Sequence, residues 1–466
     1  MSGNTVKNQY LAAACVNIAS ISYGAFCGWP SAGFLTLLSK TDTPFKQGPM
    51  TNEEASWVGA MLCAGGFVGS LLFSWIAEQC GKKTGLLLSA LPSLLCWLLI
   101  PFATNVNYLL ASRFFGGVAG GATFSLVPVY VTEITEVRVR GTIGSFLVLS
   151  CNFGILIAFV LGNFLSYKAV PLILASLSVM FLISVIFLPE TPQHLMKSNN
   201  YEGAEKSLRY FRNYGEKSKE LNELLKEELE KLNESFMENK KVESTHDSGP
   251  LELRDFTNPI ARKAFTIGIA LMALNQFCGC FAMLNYTATI FKQAGSSLSP
   301  KTSAIIVGFI QLIGSYISTM LVERAGRKVL LATSAIGTGF GLCSLGLYSY
   351  LSENGYQMEG LNWIPIASFS VAVCVGSMGV LTLPFLVVSE IMPPKIRNIG
   401  SMICMEVLWI FAFLVLKYLP LMTLSLGMHG TMYVFACCCF AGAIFVILFV
   451  PETKGKSIET IMKMLE

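Results

Sequence analysis

Twelve runs of about twenty apolar residues, separated by short polar turns, account for most of this chain. Wound as a helix rising about 1.5 Å per residue, such a run crosses a hydrocarbon core about 30 Å thick. The pattern predicts spans near 11–38, 55–77, 84–103, 108–131, 142–166 and 169–188, then near 262–291, 302–322, 329–350, 362–388, 399–419 and 428–450. The polar turns sort by charge. Basic residues close span 2 (Lys82, Lys83), span 4 (Arg138, Arg140), span 8 (Arg324, Arg327, Lys328) and span 10 (Lys395, Arg397), whereas the opposite turns mix Lys40, Asp42, Glu53, Glu54, Lys168 and Lys292. The positive-inside rule then predicts that both termini and the long central polar segment face the cytoplasm. The first run has no basic leader and no small-residue cleavage site ahead of Asn17, so it reads as a retained span.

The expected architecture is an all-α polytopic membrane protein of twelve transmembrane helices. A six-helix bundle at 1–188 and another at 259–450 are joined by a cytoplasmic helical linker at 189–258, and a cytoplasmic tail follows at 451–466. In the linker, Tyr201 to Arg212 and Glu216 to Leu232 have leucine or aromatic stripes at helical spacing. They predict a helical pad beneath both bundles. The polar tract from Asn239 to Gly249 predicts a flexible stretch.

A three-part phrase occurs twice in the same order. Glu78-Gln-Cys-Gly-Lys-Lys83 returns as Glu323-Arg-Ala-Gly-Arg-Lys328, Thr132-Glu-Ile-Thr-Glu-Val-Arg-Val-Arg140 as Ser389-Glu-Ile-Met-Pro-Pro-Lys-Ile-Arg397, and Pro189-Glu-Thr-Pro192 as Pro451-Glu-Thr-Lys454. A duplicated half closed by matching charged turns is how two-part membrane carriers are built. Glu133, Arg138 and Arg140 with Glu190 in the first half, and Glu323, Arg324, Arg327, Glu390, Arg397 and Glu452 in the second, are the expected gating charges. Ion pairs between the halves would hold the cytoplasmic mouth shut in one state and release it in the other.

Composition narrows the function. The chain of 466 residues is 53% apolar and 13% charged, about half the charge of a soluble domain. A net charge of +4 and the lack of a basic face exclude nucleic-acid binding. The fourteen cysteines sit mostly inside spans, where they act as small hydrophobes, and Cys278-x-Cys280 alone makes no metal site. No phosphate loop, nucleophile constellation or metal set is present, so neither an enzyme nor a cofactor is expected.

The chain resembles the sugar porter family of the major facilitator superfamily, within it the insect facilitated trehalose/glucose transporter branch. The resemblance rests on Arg113-Phe-Phe-Gly-Gly-Val-Ala-Gly-Gly121 leading to Pro128-x-Tyr130-x-x-Glu133 and Arg140-Gly141, on Glu323-Arg-x-Gly-Arg-Lys328, and on Pro189-Glu-Thr-Pro192 with Pro451-Glu-Thr-Lys-Gly455. It implies six plus six helices around a midplane cavity, and alternating access by rocking of one bundle on the other. It also implies a small neutral sugar as the partner, with the bilayer as the environment, a plasma-membrane location and no obligate protein partner.

The family's sugar contacts map onto Asn275, Gln276 and Phe281 in span 7, Gln311 in span 8, and Ser377 and Phe385 in span 10. Asn285 and Tyr286 fall on its polar and aromatic lid. Three family polar contacts become apolar here: Val148, Phe281 and Leu408. Asn17, Ser20, Ser22, Tyr23 and Asn152 are the expected compensating groups. Glu406, an acid inside span 11, is a candidate ligand, proton site or partner of a basic residue near the cytoplasmic gate. Span 1 lacks the acid that proton-coupled relatives carry there, which implies passive transport. A proton-coupled sugar or polyol symporter, or a carrier of another small solute, is the alternative.

Overall fold

The structure is a computed structural model that describes residues 6–213, 225, 227–230, 253–356 and 360–465. The described residues are helical with short connections. Span 1 is Lys7–Leu37, span 2 Asn52–Cys80, span 3 Lys82–Leu99, span 4 Val106–Ile134 and span 6 Ala169–Ile186. Span 5 is Val137–Gly144 continued by Phe146–Phe164. Local signals start several of them. Thr51 and Glu54 form a reciprocal capping box at span 2. Asn258 and Ser299 cap span 7 and span 8, with Pro259 and Pro300 at the first helical position, where a missing N–H does no harm.

In the second half, span 8 is Pro300–Ala325 and span 9 Arg327–Glu353. Span 7 is broken into Pro259–Phe277, Cys280–Asn285 and Thr287–Ala294, and span 10 into Ile364–Met378 and Leu383–Ile391. The first break in span 7 is at Gly279, whose φ of 76° suits only a residue without a Cβ. Spans 11 and 12 run on as Arg397–Phe449, turned by Gly427 at φ 73° rather than by a loop. The twelve expected spans are therefore present as a six-plus-six bundle.

Within the first half, spans 2 and 4 pack backbone to backbone. A Cβ on Gly117 would fall on the Leu62 carbonyl oxygen, and one on Gly65 on that of Phe114. Close approach of this kind replaces the hydrophobic drive that lipid cannot supply. Between the halves, span 2 lies against span 11 and span 5 against span 8, a pseudo-symmetric pair of seams.

The expected helix at 201–212 forms as Tyr201–Arg212 and docks under the first half. Asn8 donates to the Tyr210 carbonyl, and buried Arg212 donates to the Ile134 carbonyl and pairs with Glu228 at 2.5 Å. On the second half's side, Asp255 pairs with Lys395 at 2.8 Å. Most of the helix expected at 216–232, and the tract at 239–249, lie outside the described residues.

Candidate functional site

A cavity of about 820 Å³ lies between the halves at mid-depth. Spans 1, 4 and 5 contribute Tyr23, Phe124, Val148 and Asn152, and spans 7, 8, 10 and 11 contribute Asn275, Gln276, Phe281, Gln311, Phe385, Leu408 and Trp409. The breaks in spans 7 and 10 explain why those helices reach it. Unwinding frees backbone groups that a closed helix hides, and irregular backbone at membrane depth survives only beside a cavity or protein. The Asn275 amide donates to the Val380 carbonyl inside the span 10 break and accepts from Gln276, so the two broken helices fix each other.

No residue lining the cavity carries a charge. Its polar groups are amides, hydroxyls and an indole. The Gln311 amide donates to Asn152 at 2.9 Å, while its own oxygen is buried without a partner. The Trp409 indole N–H is likewise buried and unpartnered. An acceptor and a donor left open beside one cavity suit a ligand with hydroxyls, since each hydroxyl both gives and takes a hydrogen bond. Aromatic rings form one side. Tyr23 and Phe124 of the first half meet Trp409 and Phe385 of the second, with ring centroids 5.1–6.2 Å apart.

Five of the eight residues expected at the ligand line this cavity: Asn275, Gln276, Phe281, Gln311 and Phe385. Ser377, Asn285 and Tyr286 do not. Ser377 is fully buried in helix packing next to the span 10 break. Asn285 is fully buried where span 7 breaks a second time. Tyr286 is the residue at that break, its hydroxyl donating to the Ala55 carbonyl. Of the compensating groups, Tyr23 and Asn152 line the cavity. Asn17, Ser20 and Ser22 turn instead to the Ala13 carbonyl, to each other and to Ser93. Phe124 and Trp409 escaped sequence reasoning, because one aromatic in an apolar run looks like any other. Helical spacing from the expected contacts does not reach them, since Trp409 is one residue from Leu408 and Phe124 is on a span with no expected contact.

Glu406 lies nine residues into span 11 and accepts from Ser70 of span 2 at 2.5 Å. No basic residue pairs with it among the described residues, so the expected partner near the gate is not there; its second oxygen is buried without a hydrogen bond. Arg113 is buried and ties span 4 to spans 1 and 2 through the Phe26 and Val58 carbonyls.

The repeated charged phrases stitch each half to itself. Glu190 accepts from the backbone N–H groups of Lys82 and Lys83, and Glu452 from those of Arg327 and Lys328. Burial raises the Glu452 carboxyl, but backbone N–H donors from Lys454, Arg327, Lys328 and Thr453 outweigh it and hold the group below its ordinary value. Arg327 pairs with Glu390 at 3.3 Å, and Thr453 donates to the same carboxylate. In the first half the matching Lys82 turns to the Ala77 carbonyl, and Glu133 keeps a buried oxygen without a partner. Arg138 approaches Glu136 at 3.9 Å, Arg140 donates to the Thr135 carbonyl, and two Arg397 nitrogens are buried unpartnered. The Arg324 carbonyl accepts from Lys454. The Glu323 side chain lies outside the described set. Ion pairs between the halves, expected at this basic end, are absent among the described residues.

Direct contacts between the halves are found at the far end. Ser31 accepts from the Ala288 N–H at 3.0 Å, Phe34 packs on Tyr286, and Lys417 of span 11 donates to Ser56 while its ammonium rests 4.1 Å over the Trp57 ring. With the halves joined there, no ion pair joins them at the basic ends among the described residues.

Over residues 15–465 the chain matches the sugar (and other) transporter family. It is 34% identical over 97% of its length to the facilitated trehalose transporter Tret1 of Culex quinquefasciatus, covering 85% of that protein. It is 33% identical over 98% of its length to Tret1 of Anopheles gambiae, of whose length it spans 56%. Among solved structures it is similar in fold to the E. coli xylose transporter XylE in a partially occluded inward-open conformation. That likeness has a TM-score of 0.76 at 20% identity and covers 96% of this chain and 99% of that one.

Proposed function

The chain belongs to the sugar (and other) transporter family, and on that premise we propose that it moves a neutral sugar, trehalose or a hexose, passively across the plasma membrane. It is a multi-pass membrane carrier and not an enzyme. The observation that carries the sugar reading is the charge-free cavity with Gln311 and Trp409 polar atoms left open. An anionic solute would want a buried cation there. Aromatic and apolar walls with a few amides and hydroxyls are the lining expected of a site for a small neutral ligand. The name of the insect relatives, facilitated trehalose transporters, supports the same ligand class.

Gln276, Gln311 and Asn275 act as the hydrogen-bonding wall, and Phe281, Phe385 and Trp409 as the apolar face against a sugar ring. Asn285 and Tyr286 close the far end above it. The basic end faces the cytoplasm, by the charge asymmetry of the turns. Rocking about the two seams then opens the far end as Lys417 leaves Trp57 and the basic ends approach, letting Glu133, Arg138, Arg140, Glu390 and Arg397 meet across the halves.

Glu406 favours a second reading, coupling to protons, because it is a carboxyl at the moving seam with one serine for a partner. Proteoliposomes loaded with labelled trehalose, glucose and polyols separate the two. Equilibration without accumulation is the expected outcome; uphill uptake driven by an imposed proton gradient overturns the passive reading.

A further inference from the structure

We propose a second sugar subsite at the far end, stacked on the central cavity and separated from it by Asn285 and Tyr286; this rests on the sugar-carrier reading. A second hollow of about 580 Å³ opens between the halves there, lined by Asn52 and Ala55 of span 2, Tyr286, Thr289 and Gln293 of span 7, and Pro420 and Met428 around the span 11–12 turn, among others.

Three observations build it. The two hollows share their walls. Span 7 gives Phe281 and Leu284 to the central cavity and Tyr286, Thr289 and Gln293 to the outer one, and span 11 gives Ala412 to the first and Leu419 to the second. Seven residues of helix separate those last two, a step of about 10 Å. A ligand moving between the central cavity and the far side therefore passes the outer hollow.

The chemistry of the inner site is repeated. The central cavity offers amides, a hydroxyl and an aromatic ring without charge, and the outer one offers Asn52 and Gln293 amides, the Thr289 hydroxyl and the Tyr286 ring, also without charge.

Open polar atoms mark the path. The Gln311 amide oxygen in the central cavity, the Thr289 hydroxyl in the outer hollow and, between them along span 7, the Asn285 amide oxygen are each buried without a partner. Asn285 has no exposure at all, and its other amide atom is spent on the Phe281 carbonyl. Each buried polar atom left open needs an explanation, and a visiting ligand hydroxyl supplies one. The occupant is one pyranose unit, held with the far end closed: a resting place for an incoming sugar, or for the outer ring of a disaccharide whose other ring is below.

The test compares the two directions of transport in the full chain. Thr289→Val and Gln293→Leu change residues that do not line the central cavity. Each should raise the half-saturation concentration for sugar entering from the far side about fivefold, the worth of one hydrogen bond. The constant for exit from the basic side should be unchanged. Equal rises in both directions, or none, overturn the subsite. Should Thr289→Val fail to reach the membrane, the exposed Gln293 still decides. Gln293→Cys, labelled from the far side with an impermeant maleimide, should be protected by trehalose even when Gln311→Ala weakens the central site. Protection by a fatty acid and not by sugar also overturns it. A chain that moves no sugar at all, yet shows sugar protection at Gln293→Cys, defeats the carrier reading and leaves the subsite standing.

Discussion

Glu190 and Glu452 occupy the same seat in the two halves. Each follows the last span of its half and reaches back to the backbone N–H groups that open the third helix of that half, Lys82 and Lys83 or Arg327 and Lys328. The approach is close because Gly81 and Gly326 carry no side chain, at φ 98° and 91°. A carboxylate at a helix N-terminus meets both open donors and the positive end of the dipole. The Pro-Glu-Thr repeats are therefore staples that tie the sixth helix to the third within each half.

Removing one staple should cost stability before it touches the ligand. Glu452→Ala or Glu190→Ala should lower stability by about 1–2 kcal/mol, read as a fall in the thermal midpoint in detergent with sugar affinity kept. An unchanged midpoint with a raised half-saturation constant would place these residues at the ligand instead.

The lowered Glu452 carboxyl gives stability a sign with pH. The contribution is complete above the ordinary carboxylate value of about 4.3 and is lost as pH falls through the lowered value. Thermal midpoints scanned downward in pH should fall less steeply in Glu452→Gln, whose starting stability is already reduced. Parallel acid limbs for the two proteins contradict this account.

Lys417 over Trp57 should hold the far end shut. Lys417→Met removes a cation–ring contact worth about 1 kcal/mol and a hydrogen bond to Ser56, so the population should move toward a far-end-open state. A single cysteine placed at Ala55 should then label several times faster from the far side. Equal labelling rates would sink the latch.

Gln311→Ala opens the wall of the central cavity without leaving a charge. The half-saturation constant should rise about fivefold, the worth of one hydrogen bond, with cell-surface levels held. Phe385→Ala should add a comparable loss by removing the ring face. Uptake kinetics matching the unaltered chain would remove either residue from the site.

Glu406→Gln keeps the contact with Ser70 and removes the ability to ionise. Equilibrative uptake should persist at the unaltered rate. Proton-driven accumulation present in the unaltered chain and lost in this variant would instead make Glu406 the coupling group.

Hydrophobic length and charge are local properties, and what they govern was already legible in the chain. The twelve spans, the two halves, the helix at Tyr201–Arg212 and the charged turns follow from runs of residues that neighbours in sequence settle among themselves. Tertiary packing decided which face of each span looks inward. In lipid both faces of a helix are apolar, so hydropathy leaves its rotation open and packing against other helices sets it. That rotation brings Trp409 and Phe124 to the cavity, turns Ser377 and Asn17 away from it, pairs Glu406 with Ser70, and joins Lys417 to Trp57 so that the far end is the closed one.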